Sequence, residues 1–151
     1  MNSESNDETS GAGNSAELTD GATTPGWKPI ATEISSHLPF SAAVEANGFI
    51  FVSGQASVDA TGAIISGTFE EEMRRSFANV ESILASTGLT LRDVVRVMSY
   101  VRDAVDGPQY NELYREYFSA PLPSRSTISN CLSPALKFEV DVIAVRPIPV
   151  D

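Results

Sequence analysis

Between Ser41 and Val145 the apolar residues alternate between two spacings, and the order of the changes restricts the fold more than any single motif does. Gly48-Phe49-Ile50-Phe51-Val52-Ser53-Gly54 is a short apolar run bounded by glycines, the pattern of a buried strand. Asn47-Gly48 before it is a hairpin signal, which makes Ser41 to Ala46 its antiparallel partner. Asp59-Ala60-Thr61-Gly62 marks another turn, and Ala63 to Ile65 is expected as a brief strand. Thr68-Phe69-Glu70-Glu71 then fits a capping box, with Thr68 as N-cap and Glu71 at the third helical position. Phe69, Met73, Phe77, Val80 and Leu84 follow at spacings of three and four, so one helix face is buried, and Gly88 closes the helix. Asp93 to Val101 is β-branched and apolar, a central strand. Gly107-Pro108 opens a second helix with the stripe Tyr110, Leu113, Tyr114, Tyr117 and Phe118, which Pro121 and Pro123 bar from continuing. Ser124 to Ser129 and Lys137 to Val145 are the last two strands. On the final one Phe138, Val140, Val142 and Ala144 share a face, and Glu139 and Asp141 share the other. The order β-β-(β)-α-β-α-β-β specifies an α+β fold, a mainly antiparallel or mixed sheet with two helices on one face.

Composition decides how much of the chain takes part. The 151 residues suit one domain. The formal net charge is −10, and residues 1–38 carry half of it, with six acids against the single base Lys28. That segment is rich in Ser, Asn, Gly and Thr and nearly free of large apolar groups before Trp27, so residues 1–26 are expected to be a disordered acidic tail and residues 27–148 the folded domain. Trp27 and Pro29 to Ile34 either form an opening strand or lie against the domain. The single cysteine, Cys131, excludes an intrachain disulfide, and the single histidine, His37, excludes a multi-histidine metal site within one chain. No apolar run reaches membrane-spanning length, and the acidic, polar stretch Met1 to Thr9 is not a secretory signal, so the expected location is the cytoplasm. An acidic chain without a basic stripe is a poor nucleic-acid ligand.

No glycine-rich phosphate loop, GxSxG elbow or HExxH metal motif is present. Cys131 reads as a small buried thiol and His37 as a surface residue at the junction of tail and domain. What remains is one guanidinium and a few carboxylates on strands. Arg125 opens the fifth strand in Pro123-Ser124-Arg125-Ser126-Thr127-Ile128, among small and apolar neighbours. A cation there either pairs with a protein carboxylate or receives an anionic ligand. Glu139 alternates with core residues and is expected to be partly buried, as Arg125's structural partner or as a carboxylate that positions a water. Asp141, on the same face, reads as part of a solvated strand surface. Ser53-Gly54-Gln55 ends the second strand, where glycine permits close approach of a ligand or another backbone. Asn111, in the first turn of the second helix, is ambiguous by itself.

Taken together, five segments resemble the reactive intermediate deaminase family, the small enamine/imine deaminases of the YjgF, endoribonuclease L-PSP and UK114 group. They are Pro39-Phe40-Ser41-Ala42-Ala43-Val44, Phe51-Val52-Ser53-Gly54-Gln55, Tyr110-Asn111-Glu112-Leu113-Tyr114 with Tyr117-Phe118, Pro123-Ser124-Arg125-Ser126-Thr127, and Lys137 to Val145. The resemblance runs from Pro39 to Arg146. It implies a chorismate-mutase-like ββαβαββ unit assembled as a homotrimer with ligand clefts at subunit interfaces, and hydrolysis of 2-enamines or 2-imines such as 2-aminoacrylate to 2-keto acids and ammonia, with neither metal nor organic cofactor. In that reading Arg125 receives the substrate carboxylate and Glu139 holds the hydrolytic water. Phe40, Ser53, Gly54, Asn111 and Thr127 line the cleft. Phe40 stands where many active members carry tyrosine, and the loop between Ser129 and Lys137 lacks their arginine-containing stretch. Two other readings stand beside the deaminase: a non-catalytic trimer that binds or senses a small ligand such as a keto acid, and the endoribonuclease or translation-inhibitor activity ascribed to some relatives.

Overall fold

The computed structural model describes residues 25–34 and 37–150. The expected tail, residues 1–26, lies outside those residues except for its last two.

The sequence periodicities become β1 (Lys28–Pro29), β2 (Ala43–Ala46), β3 (Phe49–Ala56), α1 (Phe69–Ala85), β4 (Val94–Val101), α2 (Gly107–Tyr117), β5 (Ser124–Ser129) and β6 (Phe138–Val145). They form one six-stranded sheet in the order β1-β2-β3-β6-β4-β5. Every neighbouring pair is antiparallel except β4 and β5, which α2 connects in parallel. The sheet is therefore mixed, as expected. Of the segment preceding β2, Lys28 and Pro29 do form an opening strand, paired with Glu45 and Val44. The brief strand expected at Ala63 to Ile65 is reduced to a single bridge between Ile64 and Val58. A segment this short has no second strand to extend its ladder.

Asn47 and Gly48 both adopt positive φ, 49° and 80°, the geometry of a two-residue hairpin turn between β2 and β3. Thr68 and Glu71 make both bonds of the capping box: the Thr68 Oγ1 accepts from the Glu71 N–H, and the Glu71 carboxylate accepts from the Thr68 N–H. At the other end Gly88 sits at φ 78°. The Leu89 N–H donates to the Leu84 carbonyl and the Gly88 N–H to the Ala85 carbonyl, the Schellman pattern that satisfies the helix's last acceptors.

Both helices cover the same face of the sheet. Phe138 of β6 takes ring contacts from Phe69 and Phe77 of α1 and from Tyr110 of α2. The alternate residues Val140, Val142 and Ala144 continue that buried stripe. On the far side of the sheet the apolar residues Phe49, Phe51 and Ile128 are about two-fifths exposed. No helix among the described residues is long and apolar enough to cross a membrane.

One buried carboxylate ties the first helix to the last strand. Glu72 is fully buried, and it accepts from the Lys137 backbone N–H at 2.7 Å, the Lys137 Nζ at 3.3 Å and the Gly67 N–H at 3.2 Å. The Lys137 Nζ also donates to the Gly67 carbonyl at 2.6 Å. Removing one partner of such a group leaves other buried polar atoms unmatched. Glu72→Ala should therefore lower unfolding free energy in urea by about 3–5 kcal/mol, against about 1 kcal/mol for loss of the exposed cap in Thr68→Ala.

Candidate functional site

Strand register places Arg125 and Glu139 on opposite faces of the sheet. Arg125 of β5 lies opposite Val97 of β4, whose side chain is buried in the helix-covered core. Glu139 of β6 lies opposite Tyr100, and its sequence neighbours Phe138 and Val140 point into that core, so Glu139 belongs to the uncovered face. Two clefts result, one on each side.

In the first cleft, of about 250 Å³, Arg125 is accompanied by Asn111, Tyr114, Arg115, Leu122 and Pro123. Its guanidinium carbon lies 5.0 Å from the Tyr110 ring centroid and 4.8 Å from that of Tyr114. The two tyrosines are one helical turn apart on α2, so together they make a platform. The Tyr110 hydroxyl is fixed by donating to the Ser99 Oγ at 2.8 Å, and both groups are buried. The Tyr114 hydroxyl is buried without a partner among the described residues, and burial pushes it up to about 12. No carboxylate among the described residues forms an ion pair with Arg125. Of the two uses the sequence leaves open for Glu139, pairing with Arg125 is thus absent within one chain. The aromatic faces hold the cation by its quadrupole attraction and leave its N–H donors for an anion.

In the second cleft, of about 360 Å³, Glu139 is accompanied by Gly54, Tyr100, Ile128, Cys131, Leu132 and Asp141. Its shape depends on a bulge. Val52 pairs with Val142 and Gln55 with Val140, so β3 carries one more residue than β6 across that interval. The extra residue falls at Ser53-Gly54. A Cβ built on Gly54 would overlap the Glu139 Oε1, so the absence of a side chain lets the carboxylate lie against the β3 backbone. Burial, and next to it the charge of Asp141, push the Glu139 carboxyl above its ordinary range. Burial also raises Asp141, opposed by the Tyr100 hydroxyl, which donates to it at 3.0 Å, and by the Arg96 charge.

Of the other residues singled out by sequence, Asn111 joins Arg125 and Gly54 joins Glu139. The Ser53 hydroxyl donates to the Ser41 carbonyl at 2.7 Å, which ties the bulge to the segment before β2. Thr127 is exposed on β5, an edge strand with a row of backbone groups facing out of the sheet. Phe40 is 48% exposed and lines neither cleft within one chain. His37 is exposed, as expected. Two readings change. Cys131 is exposed on the rim of the second cleft rather than buried, because the turn between β5 and β6 lies outside the sheet. Asp141 is hydrogen-bonded and partly buried rather than solvated, because Tyr100 on the neighbouring strand reaches it. Sequence reasoning missed Tyr100, and it assigned Tyr110 and Tyr114 to the core alone. Alternation along β4 puts Tyr100 opposite the core face, which was the available signal.

The sequence profile of the family described as Endoribonuclease L-PSP matches residues 30–146. A RutC family protein of Pyrococcus abyssi is 36% identical over 110 residues, covering 72% of this chain and 87% of that protein. A 2-iminobutanoate/2-iminopropanoate deaminase of Dermatophagoides farinae is 29% identical over 109 residues, covering 71% and 85%. Among solved structures, TdcF of E. coli with bound serine superposes with a TM-score of 0.69 at 30% identity, covering 80% of this chain and 99% of that one.

The upward shifts of Glu139 and Asp141 carry a stability consequence. The folded chain holds protons that the unfolded chain releases, so their contribution is fully present below the ordinary carboxylate range and is lost as pH rises through the raised values. Glu139→Gln should therefore melt higher than the parent at pH 7, and the difference should close by about pH 3–4 in a calorimetric series.

Proposed function

The chain belongs to the endoribonuclease L-PSP family, and from that premise we propose that it hydrolyses 2-imino acids, and the 2-enamines that tautomerise to them, to 2-keto acids and ammonia. The observation that carries this reading is the state of Arg125. Its charge is supported by two aromatic faces and balanced by no protein carboxylate among the described residues. A planar guanidinium left free in a cleft matches a substrate carboxylate in a bidentate fork. The bound serine of TdcF and the name of the Dermatophagoides relative point to small α-carboxylate ligands in those proteins.

Water activation falls to Glu139. Burial makes its carboxylate a better proton acceptor than an ordinary glutamate, which suits a group that must take a proton from water near neutrality. The enamine first moves a proton to its β-carbon and becomes the imine. Water adds to C2, forming the C–O bond while the C=N π pair moves to nitrogen, and Glu139 takes the water's proton. Glu139 returns that proton to the nitrogen of the carbinolamine, the hydroxyl proton passes to the same nitrogen, and the C–N bond breaks to release ammonia and the keto acid. Positioning and charge stabilisation suffice for this chemistry.

Arg125 and Glu139 face opposite ways within one chain, so the reaction calls for two copies, one supplying the Arg125 cleft and the next supplying Gly54 and Glu139. A closed ring of copies with such heterologous contacts provides this, and the half-exposed Phe49, Phe51 and Ile128 of the uncovered face are suited to being covered in it. We take the ring to be a trimer. Binding of a keto acid without turnover would use the same Arg125 cleft, and the lack of a hydroxyl on Phe40 favours that second reading. An RNA substrate is disfavoured by the lack of a basic stripe on an acidic chain.

The test generates 2-iminopropanoate with an amino-acid oxidase, traps it with semicarbazide and measures how far the protein lowers the trapped signal. Parent protein should lower it, and Arg125→Ala and Glu139→Gln should each lose the effect. Co-refolding the two variants should restore about a quarter of the parental activity, the fraction of interfaces that regain both groups on random mixing. No effect of the parent protein would leave the binding reading, and no recovery on mixing would place both groups in one subunit's site. Light scattering should report about three times the chain mass of 16.1 kDa.

A further inference from the structure

Ten basic side chains serve a chain of net charge −10, and most are engaged. Lys28, Arg74, Arg102, Lys137 and Arg146 stand in ion pairs. Arg75 donates to the Ser57 hydroxyl and the Ile65 carbonyl, and Arg96 donates to Ser126 near the Asp141 charge. Arg92, Arg115 and Arg125 have no carboxylate partner among the described residues. Two of these three line the same cleft. Arg115 of α2 and Arg125 of β5 both border the 250 Å³ cavity, and no Asp or Glu of the same chain borders it among the described residues. The Arg115 guanidinium donates from Nη1 to the Asn111 carbonyl at 3.2 Å, along its own helix.

Two cations on the exposed rim of one cleft repel each other, and the carboxylate that the proposed assembly brings there, Glu139 of the next copy, is assigned to the water rather than to either of them. A ligand with one carboxylate balances one of them. A ligand with two carboxylates balances both, and guanidinium is the side chain whose geometry suits each. The remaining walls carry no charge. Leu122, Pro123 and the Tyr114 ring offer apolar surface to a short methylene spacer, and the Asn111 side chain is a neutral polar group at the same cleft.

We infer that the substrate is a 2-imino dicarboxylic acid, with the α-carboxylate on Arg125 and the distal carboxylate on Arg115. The inference rests on the imine-hydrolase reading for its chemistry and on the shared cleft for its specificity. Such a substrate would come from a dehydrogenase or oxidase that passes two electrons from an acidic amino acid to its own acceptor, or from loss of water from a 3-hydroxy acidic amino acid, and a 2-keto dicarboxylic acid and ammonia would leave.

The experiment compares two imines formed in place by amino-acid oxidases, 2-iminoglutarate from glutamate and 2-iminopropanoate from alanine, in the semicarbazide assay. In parallel, calorimetric titration compares the stable keto acids 2-oxoglutarate and 2-oxobutanoate. Parent protein should favour the dicarboxylate by about tenfold or more in kcat/KM and in Kd. Arg115→Gln should remove that preference, mainly through KM, and Arg115→Lys should restore part of it. Arg92→Gln, which makes the same change in net charge away from this cleft, should leave the preference intact. Equal use of both imines by the parent, or an unchanged preference in Arg115→Gln, overturns the inference and leaves the hydrolase reading standing. Turnover of neither imine, with 2-oxoglutarate still bound more tightly in an Arg115-dependent way, sinks the hydrolase reading and supports the dicarboxylate site. Absence of both turnover and binding overturns both.

Discussion

The start of the strand that carries Glu139 is anchored by one carboxylate that never meets solvent. Glu72 sits in the first turn of α1, yet its acceptors are spent on Gly67 before the helix and Lys137 before β6. It therefore fixes three things at once: where the helix starts, where the last strand starts, and how the turn between β5 and β6 is closed. That turn carries Cys131 and Leu132, two walls of the cleft that holds Glu139. A buried charge of this kind is costly to form. It persists because three donors share it.

The elements were largely legible in the sequence, since each rests on local chemistry. The Thr68 cap, the glycine at 88, the Asn47-Gly48 turn and the parity of β6 all appear where the residues alone place them. The opening strand and the lost bridge strand at Ala63 to Ile65 were not fixed that way. Their state depends on whether a partner strand is within reach, which is tertiary information. The same limit applies to the site. Arg125 and Glu139 could be named as the chemistry-bearing residues, but whether they meet depends on β5 pairing in parallel with β4 while β6 pairs antiparallel to it. Only with that register does it follow that one faces the helices and the other faces away. The aromatic platform under Arg125 was hidden for a different reason. Tyr110 and Tyr114 lie at core spacing on α2, and a core tyrosine and a cation platform have the same periodicity.

The two clefts divide the work between different kinds of wall. Arg125 rests on rings, one of them pinned by a hydroxyl bond to Ser99, so its orientation is set by packing. Glu139 rests against bare backbone at Gly54, so its position is set by the absence of a side chain. Neither arrangement needs a charged neighbour of opposite sign. An ion pair would have held either group as firmly, at the cost of neutralising the charge that an incoming ligand has to meet.

The bulge at Ser53-Gly54 has a consequence for how this fold tolerates change in length. Ile50 and Val52 face the helices, and after the bulge Gln55 and Ser57 do so, although the count between them changes from even to odd. The strand is thus a parity switch. Deleting either Ser53 or Gly54 would leave a single residue opposite Asp141, so Gln55 and Ser57 would still face inward and the ladder would run regularly from Val52 to Ala56. The later contacts to α1, including those of Arg75 and Asn79 to this segment, would keep their side of the chain. What a single lost codon here would remove is the bulge itself, and with it the seat of the Glu139 carboxylate against the β3 backbone, while the fold around it kept its parity.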